Sequence, residues 1–223
     1  MKILSVDTSS KICSCAILED EKIIDEINLN NEKTHSENLI PIISRILEKN
    51  KLNLKNIDLI SCSVGPGSFT GIRIGVASIK AIAEVHNIKI ASVTSLEILA
   101  RIDESEKIKV ALIDARNNQV YCGIFDNEYN QIEELIADDI FNVIEILKKY
   151  KKMNFIGDGA VLHKEKILEN IPNAEFSKKN NQSAALGGKI AYKKYLNQDL
   201  KDADTIIPIY LRKSQAERMK KDK

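Results

Sequence analysis

The chain has 223 residues, of which 43% are hydrophobic and 29% charged, and its formal net charge is +1 at pH 7. This composition predicts a protein that can bury a sizeable core, and the near-neutral charge gives no overall field that would attract nucleic acid or an anionic membrane. No apolar run approaches the roughly 18 residues of a membrane span, and the first residues lack the pattern of a signal peptide. We therefore expect a cytoplasmic protein.

The first half of the chain predicts strands alternating with helices. The predicted strands are 2–6, 12–18, 22–29, 58–64 and 89–93. The predicted helices are 37–50, with Ser36 as its N-cap, 68–86, with Ser68 as its N-cap, and 95–102. This order is typical of an α/β domain whose sheet is covered by helices.

The second half repeats this order. Strands are expected at 109–114, 119–125 and 154–156, and helices at 141–150 and 184–195. Two copies of strand, hairpin and helix indicate two similar halves, which we divide into 1–103 and 104–223. No linker rich in serine or glycine marks the boundary.

The helix predicted at 37–50 is apolar over a wider arc than docking on one core requires. A surface helix needs an apolar stripe of about 100°, whereas Leu39, Ile42, Ile43 and Ile46 here extend around more of the helix. Two interpretations stay open: the helix is covered within its own domain, or it packs one face internally and offers the other to a partner helix.

The helix predicted at 68–86 carries glycines at 71 and 75, which lie on one face. Glycine inside a helix costs about 1 kcal/mol relative to alanine, so its presence calls for a packing reason. Small residues such as Ala77 lie nearby, while Arg73 and Lys80 belong to a polar stripe. The pattern predicts close packing of this helix against another one.

The turn Gly65-Pro66-Gly67-Ser68 joins a strand to a helix, where free N–H groups can hold an anion. It lacks the lysine of a P-loop, and no GxGxxG motif is present. A phosphate contact and a purely structural turn both remain open.

The chain offers few catalytic candidates. Its three histidines, His35, His86 and His163, cannot form an HExxH or HxxxH metal pair. Asp7 and Asp114 follow predicted strands, and Asp158 lies between two glycines. Carboxylates at strand ends serve either as ligands in a cleft or as turn formers.

The four cysteines form no CxxC pair. In a reducing compartment they are expected to be free thiols that serve as small core residues. Cys13 and Cys15 alternate along a predicted strand and should share one face.

Motifs along nearly the whole chain resemble those of the TsaB family, formerly called YeaZ. They are ILSVDTS from Ile3, THSENLIP from Thr34, VGPGSFTGIRIG from Val64, DAR from Asp114, GDGA from Gly157 and PIYLR from Pro208.

This resemblance implies an actin-like (ASKHA) α/β fold of two ribonuclease-H-like halves. It further implies a non-catalytic scaffold that binds and activates TsaD, the enzyme that forms N6-threonylcarbamoyladenosine next to the anticodon of tRNAs reading ANN codons. The ATPase TsaE joins this pair. The family meets TsaD, or a second copy of itself, through helices, and tRNA is expected only within the complex.

The resemblance also assigns candidate sites. Partner contact is expected at His35, Asn38, Leu39, Ile42, Ile43, Ile46, Phe69, Gly71, Ile72, Arg73, Gly75, Val76, Ala77 and Lys80. Nucleotide contact, if any, is expected at Asp7, Thr8, Ser9, Gly65, Gly67, Asp114, Gly157 and Asp158. No metal or cofactor is expected beyond weak ATP or ADP binding at the cleft or partner interface.

Two alternatives to the scaffold are considered. One is an independent enzyme, either an actin-like ATPase or an M22-type peptidase, although the HxxxH pair of such peptidases is missing. The other is direct RNA binding, for which the basic tail after Leu211 is a candidate. A solvated terminus is the interpretation that we favour for this tail.

Overall fold

The computed structural model of the chain describes residues 1–212. Apart from Arg212, the basic tail considered for tRNA contact lies outside these residues.

The first half is built on a five-stranded mixed sheet. Its strands are β1 (Lys2–Asp7), β2 (Cys13–Glu19), β3 (Lys22–Leu29), β4 (Leu59–Ser63) and β5 (Lys89–Val93). They lie in the order β3-β2-β1-β4-β5, in which β1, β2 and β3 are antiparallel neighbours while β4 and β5 run parallel to β1.

Two helices cover one face of this sheet, α1 (His35–Lys49) and α2 (Phe69–His86). Helix α1 begins two residues earlier than Ser36 predicts, because Thr34 forms a capping box with Glu37. Ser68 caps α2 as predicted, with its hydroxyl oxygen accepting from the Gly71 N–H at 3.2 Å.

The second half contains a sheet with the same arrangement. Its strands are β6 (Ile108–Asp114), β7 (Gln119–Phe125), β8 (Ile136–Asp139), β9 (Met153–Ile156) and β10 (Glu175–Phe176). The order β10-β9-β6-β7-β8 reproduces that of the first sheet, with antiparallel pairs on one side of β6 and parallel pairs on the other. The predicted duplication of an α/β unit is thus confirmed.

The remaining helices are α3 (Ser95–Ala100), α4 (Ile140–Leu147), α5 (Asp158–Leu162), α6 (Lys164–Asn170) and α7 (Ala184–Leu196). Strands β8 and β10 and helices α5 and α6 were missing from the sequence prediction. Each is at most seven residues long, too short for a hydrophobic period to be recognised.

The last helix crosses back to the first half. Helix α7 lies on the face of the first sheet opposite α1 and α2, where its alanines pack against Ile3, Ala16 and Leu18. Glu26 of β3 fixes its start by accepting from the Ser183 hydroxyl at 2.7 Å and the Ala185 N–H at 2.9 Å. A division at residue 103 separates the residues of the two sheets, but α7 belongs in space with the first.

All four cysteines are buried free thiols. Cys13, Cys15 and Cys62 share the core between the first sheet and helices α1 and α2. Burial raises the pKa of the Cys13 thiol to about 11 and of the Cys122 thiol to about 12. Neutral buried thiols of this kind act as small apolar residues.

Candidate partner-binding face and cleft loops

Most apolar residues expected to meet a partner face the interior. The side chains of this group are at most 3% exposed and fill the core between the helices and the first sheet: Leu39, Ile42, Ile43, Ile46, Ile72 and Val76. Asn38 is buried with them, and its side-chain amide donates to Asn31 Oδ1 at 2.8 Å. For these residues the structure corrects the expected exposure, because their side of each helix faces the domain's own sheet.

The close approach permitted by Gly71 and Gly75 is made by the loop after β1. A Cβ atom at Gly71 would lie 2.1 Å from the Thr8 carbonyl oxygen, and one at Gly75 would lie 2.3 Å from Thr8 Oγ1. The Thr8 hydroxyl also donates to the Gly71 carbonyl at 2.8 Å. The packing reason for the glycines is therefore internal, and the predicted packing against another helix is corrected at these positions.

A different side of the two helices faces outward. On α2, Arg73, Ala77 and Ala81 are exposed, and Val85 is 78% exposed at the end of the same side. On α1, Ile40 is 52% exposed. Sequence reasoning included Arg73 and Ala77 but missed the other three, because periodicity alone does not reveal which apolar stripe faces the sheet.

An open groove runs between the helices next to this exposed side. It has a volume of about 680 Å³ and is bordered by Ile40, Leu47, Leu54, Ile82 and His86 among others. We call Ile40, Ala77, Ala81, Val85 and this groove the outer helix face. Small and aliphatic residues of this kind allow a helix from another chain to approach closely.

The segment 209–210 reinforces the start of α2. Tyr210 stacks on Phe69 with ring centroids 4.8 Å apart, and the Arg73 guanidinium donates to the Tyr210 hydroxyl at 2.8 Å. The Ile209 N–H donates to the Val64 carbonyl at 2.8 Å. Of the predicted partner residues, Phe69 and Arg73 are therefore already engaged within the chain.

Lys80 and His35 also have internal contacts. Lys80 Nζ lies 3.5 Å from the carbonyl oxygens of Asp204 and Ile206. His35 Nε2 lies 2.8 Å from the Ser10 carbonyl oxygen, and its Nδ1 is buried with no hydrogen-bond partner among residues 1–212. His35 thus ties the start of α1 to the loop after β1.

The structure brings the predicted nucleotide residues of the first half together at the carboxyl ends of β1 and β4. The loop after β1 lies directly against the start of α2: a Cβ atom at Gly67 would lie 2.2 Å from the Ser9 carbonyl oxygen, which accepts from the Ser68 N–H at 2.8 Å. The Ser68 N–H is thus used within the chain. This arrangement favours the structural interpretation of the Gly65–Ser68 turn over phosphate contact.

Asp7 lies at the centre of this loop and is 1% exposed. Its Oδ1 accepts from both the N–H and the hydroxyl of Ser9, each at 2.7 Å, while Oδ2 has no partner among residues 1–212. Burial raises the pKa of Asp7 above its ordinary value of 3.8, and the hydrogen bonds from Ser9 and the charge of His35 oppose this rise.

The raised pKa of Asp7 predicts a pH-dependent effect of Asp7→Asn on stability. Between the ordinary pKa of 3.8 and the higher folded-state pKa, the folded protein holds a proton that the unfolded chain releases. Rising pH therefore destabilises the folded wild type through this window, and the effect levels off above the folded-state pKa. An asparagine keeps the Oδ1 acceptor but has no proton to lose.

We expect the free energy of unfolding of Asp7→Asn, relative to wild type, to increase as the pH rises from 4 upward. Urea denaturation over a pH series measures this difference. Asp58→Asn is the matched control, since the exposed Asp58 carboxylate also accepts one backbone N–H, from Lys2 at 2.7 Å. A difference for Asp7→Asn that is independent of pH would contradict the prediction.

The nucleotide candidates of the second half form a separate cluster. Asp158 Oδ1 accepts from the Asp114 N–H at 3.0 Å, and Asp114 Oδ1 accepts from the Arg116 N–H at 2.8 Å. Desolvation raises the pKa of Asp158. Gly157 has a φ of +110°, and a Cβ there would lie 2.1 Å from the Leu112 carbonyl oxygen. These residues join the ends of β6 and β9.

Within residues 1–212, no helix is long and apolar enough to cross a membrane. The same part of the chain contains no group of three or more histidine, cysteine or carboxylate side chains arranged to hold a metal ion.

Comparison with known proteins places these features in a family. A family model described as "TsaD: tRNA N6-adenosine threonylcarbamoyltransferase" matches residues 22–220. The tRNA threonylcarbamoyladenosine biosynthesis protein TsaB of Bacillus subtilis (strain 168) is 30% identical over 224 residues, which cover 97% of this chain and 96% of that protein. The chain belongs to the TsaB family. The TsaB protein of Haemophilus influenzae is 28% identical, with 95% of this chain and 94% of that protein covered.

Solved structures support the fold of this TsaB family member. YeaZ from Pseudomonas aeruginosa superposes with a TM-score of 0.79 at 21% identity, covering 94% of this chain and 100% of that one. A ROK hexokinase from Thermus thermophilus reaches a TM-score of 0.57 at 10% identity, covering 87% of this chain and 100% of that one. The actin-like α/β fold predicted from the sequence is confirmed.

Proposed function

We propose that this chain is a non-catalytic scaffold in the biosynthesis of tRNA threonylcarbamoyladenosine. In this role it binds and activates TsaD, which forms the modified nucleoside next to the anticodon of tRNAs reading ANN codons. Membership of the TsaB family supports the pathway, since the relatives are named for this biosynthesis.

The outer helix face is the observation that carries the scaffold role. It exposes Ile40 and Val85 beside alanines at 77 and 81, next to a groove of about 680 Å³. Burying such apolar surface against a second protein is favourable at about 25 cal/mol per Å² of area removed from water. The small alanines would let the backbone of a partner helix come near.

The partner that we propose for this face is TsaD. TsaD and this chain match one family model over 22–220 here, so a pseudo-symmetric pairing of corresponding helices is a reasonable geometry. The same face would serve a homodimer when TsaD is absent, and the two occupants would compete. TsaE would join the heterodimer, and tRNA would be bound by the assembled complex in the cytoplasm.

Reconstitution of the modification tests this function. Purified TsaD, TsaE and the adenylate-forming enzyme would be incubated with ATP, bicarbonate, threonine and tRNA, with and without this chain. We expect modified nucleoside only when the chain is present, and no modification from the chain alone. Equal modification without the chain would refute the scaffold role.

A further inference from the structure

A polar cavity in the second half takes no part in the proposed contact with TsaD, and Asp114, one of the predicted nucleotide residues, lies in its wall. It has a volume of about 470 Å³ and opens between the β6–β7 turn and the junction of α5 and α6. The turn contributes Arg116, Asn117 and Asn118, and the helices contribute His163 and Lys166.

The turn that forms one wall is held in a defined conformation. Arg116, Asn117 and Asn118 have φ angles of 64°, 54° and 60°, in the left-handed region. The Asn118 carbonyl accepts from the Ile140 N–H at 2.8 Å, and Lys166 Nζ donates to Asn118 Oδ1 at 2.9 Å. The turn that carries the Arg116 guanidinium and the side-chain amides of Asn117 and Asn118 is thus held in place by hydrogen bonds.

His163 lines the cavity and carries a hydrogen-bonding group that the chain does not use. Its side chain is 4% exposed, and its buried Nε2 has no hydrogen-bond partner among residues 1–212. Burial, followed by the positive charge of Lys166, lowers the pKa of His163, so the imidazole is neutral at pH 7. A buried polar atom without a partner costs about 1–3 kcal/mol, a cost that a bound hydrogen-bonding ligand would relieve.

An exposed aromatic ring lies beside Lys166, one of the residues that line the cavity. Phe141 is 50% exposed, and Lys166 Nζ lies 5.4 Å from its ring centroid. Leu162, which borders the cavity, is 62% exposed. A flat apolar surface beside a cation is the arrangement on which nucleic-acid bases stack.

The charges around the cavity are of both signs, which disfavours a simple anion. Arg116 and Lys166 are countered by the carboxylates of Asp114, Asp139 and Asp158. A free phosphate would meet both signs at once. In a nucleotide the phosphate and the base are separate groups. The phosphate can contact the cations, while the amide and carboxylate groups form hydrogen bonds with the edge of the base.

We propose that this cavity binds an unpaired nucleotide of an RNA chain. The base stacks on Phe141, its edge is bonded by the Asn117 amide and His163, and Arg116 contacts the adjacent phosphate. Recognition is confined to single-stranded RNA because a paired base is stacked and cannot enter. The proposal rests on the proposed function, which brings the chain to tRNA.

The test measures the RNA affinity of this chain assembled with TsaD by fluorescence anisotropy, with a labelled tRNA and a short single-stranded oligoribonucleotide. Removing a stacking aromatic generally weakens binding by about fivefold or more, so we expect at least this loss for Phe141→Ala, and a similar loss for Arg116→Ala. Leu196→Ala and Lys193→Ala are the controls, since they remove an exposed apolar side chain and an exposed cation on α7. Thermal unfolding checks that each variant is folded.

Cross-linking locates the contact independently. RNA containing 4-thiouridine, irradiated with the wild-type chain, should attach to the β6–β7 turn or to α4–α6. Three results would overturn the proposal: no RNA affinity in the wild type, unchanged affinity in folded Phe141→Ala and Arg116→Ala variants, or binding of ATP at the cavity without binding of RNA. The reconstitution with TsaD is a separate experiment, so failure of the RNA-binding proposal can be distinguished from failure of the proposed scaffold function.

Discussion

Replacing Gly71 or Gly75 with alanine is expected to lower the free energy of unfolding by about 1–3 kcal/mol, the usual cost of overpacking a core. In an unconstrained helix the same change would stabilise the protein by about 1 kcal/mol. A loss of stability would therefore indicate a close contact at the glycine. The effect reverses here because a Cβ at either position would lie within 2.3 Å of an atom of Thr8.

A substitution at Thr8 distinguishes the contact at Gly71 from the contact at Gly75. The Cβ at Gly75 meets the Thr8 hydroxyl, whereas the Cβ at Gly71 meets the Thr8 carbonyl oxygen. Thr8→Ala alone should cost about 1 kcal/mol through loss of its hydrogen bond to the Gly71 carbonyl. In that background Gly75→Ala should be tolerated, while Gly71→Ala should remain destabilising because the backbone oxygen is still present.

Urea denaturation of the three single variants and the two double variants gives the coupling energy between each glycine and Thr8. Thr70→Ala, at an exposed position in the first turn of α2, is the control and should change stability by no more than about 0.5 kcal/mol. Equal coupling of Thr8→Ala to both glycines would show that the loop does not pack on α2 as described.

Ala77→Glu is expected to abolish binding of TsaD while leaving the chain folded. Ala77 is exposed on α2, so the carboxylate is hydrated in the free chain. In the proposed complex it would be buried against an apolar partner helix without a counter-charge. Leaving such a charge unpaired costs about 3 kcal/mol or more, which corresponds to at least a hundredfold loss of affinity.

Isothermal titration calorimetry with TsaD measures this loss, and thermal unfolding confirms that the variant is intact. Leu196→Glu is the matched control, because Leu196 is 61% exposed at the end of α7, away from the outer helix face. Gly75→Glu would be a poor choice, since it would disturb the contact with Thr8. Wild-type affinity of Ala77→Glu for TsaD would place the interface elsewhere.

The long elements and the duplication were readable from the sequence. Helix 68–86 was recognised because Ser68 is an N-cap, Gly65-Pro66-Gly67 interrupts the preceding strand, and the apolar residues follow a helical period. Strands 89–93 and 119–125 were recognised from compact apolar runs bounded by turns. These signals lie within or next to a single element, so they can be recognised without knowledge of the tertiary fold.

The sequence by itself therefore determined the α/β class, the two similar halves, the family resemblance and the presence of helices α1 and α2. The tertiary structure alone decided that α7 lies on the first sheet, that Thr8 fills the space beside Gly71 and Gly75, and that Ala77, Ala81 and Val85 form the outward side of α2. The physical reason is that periodicity specifies how side chains are distributed around a helix, whereas the direction in which each side faces depends on contacts between residues far apart in the chain.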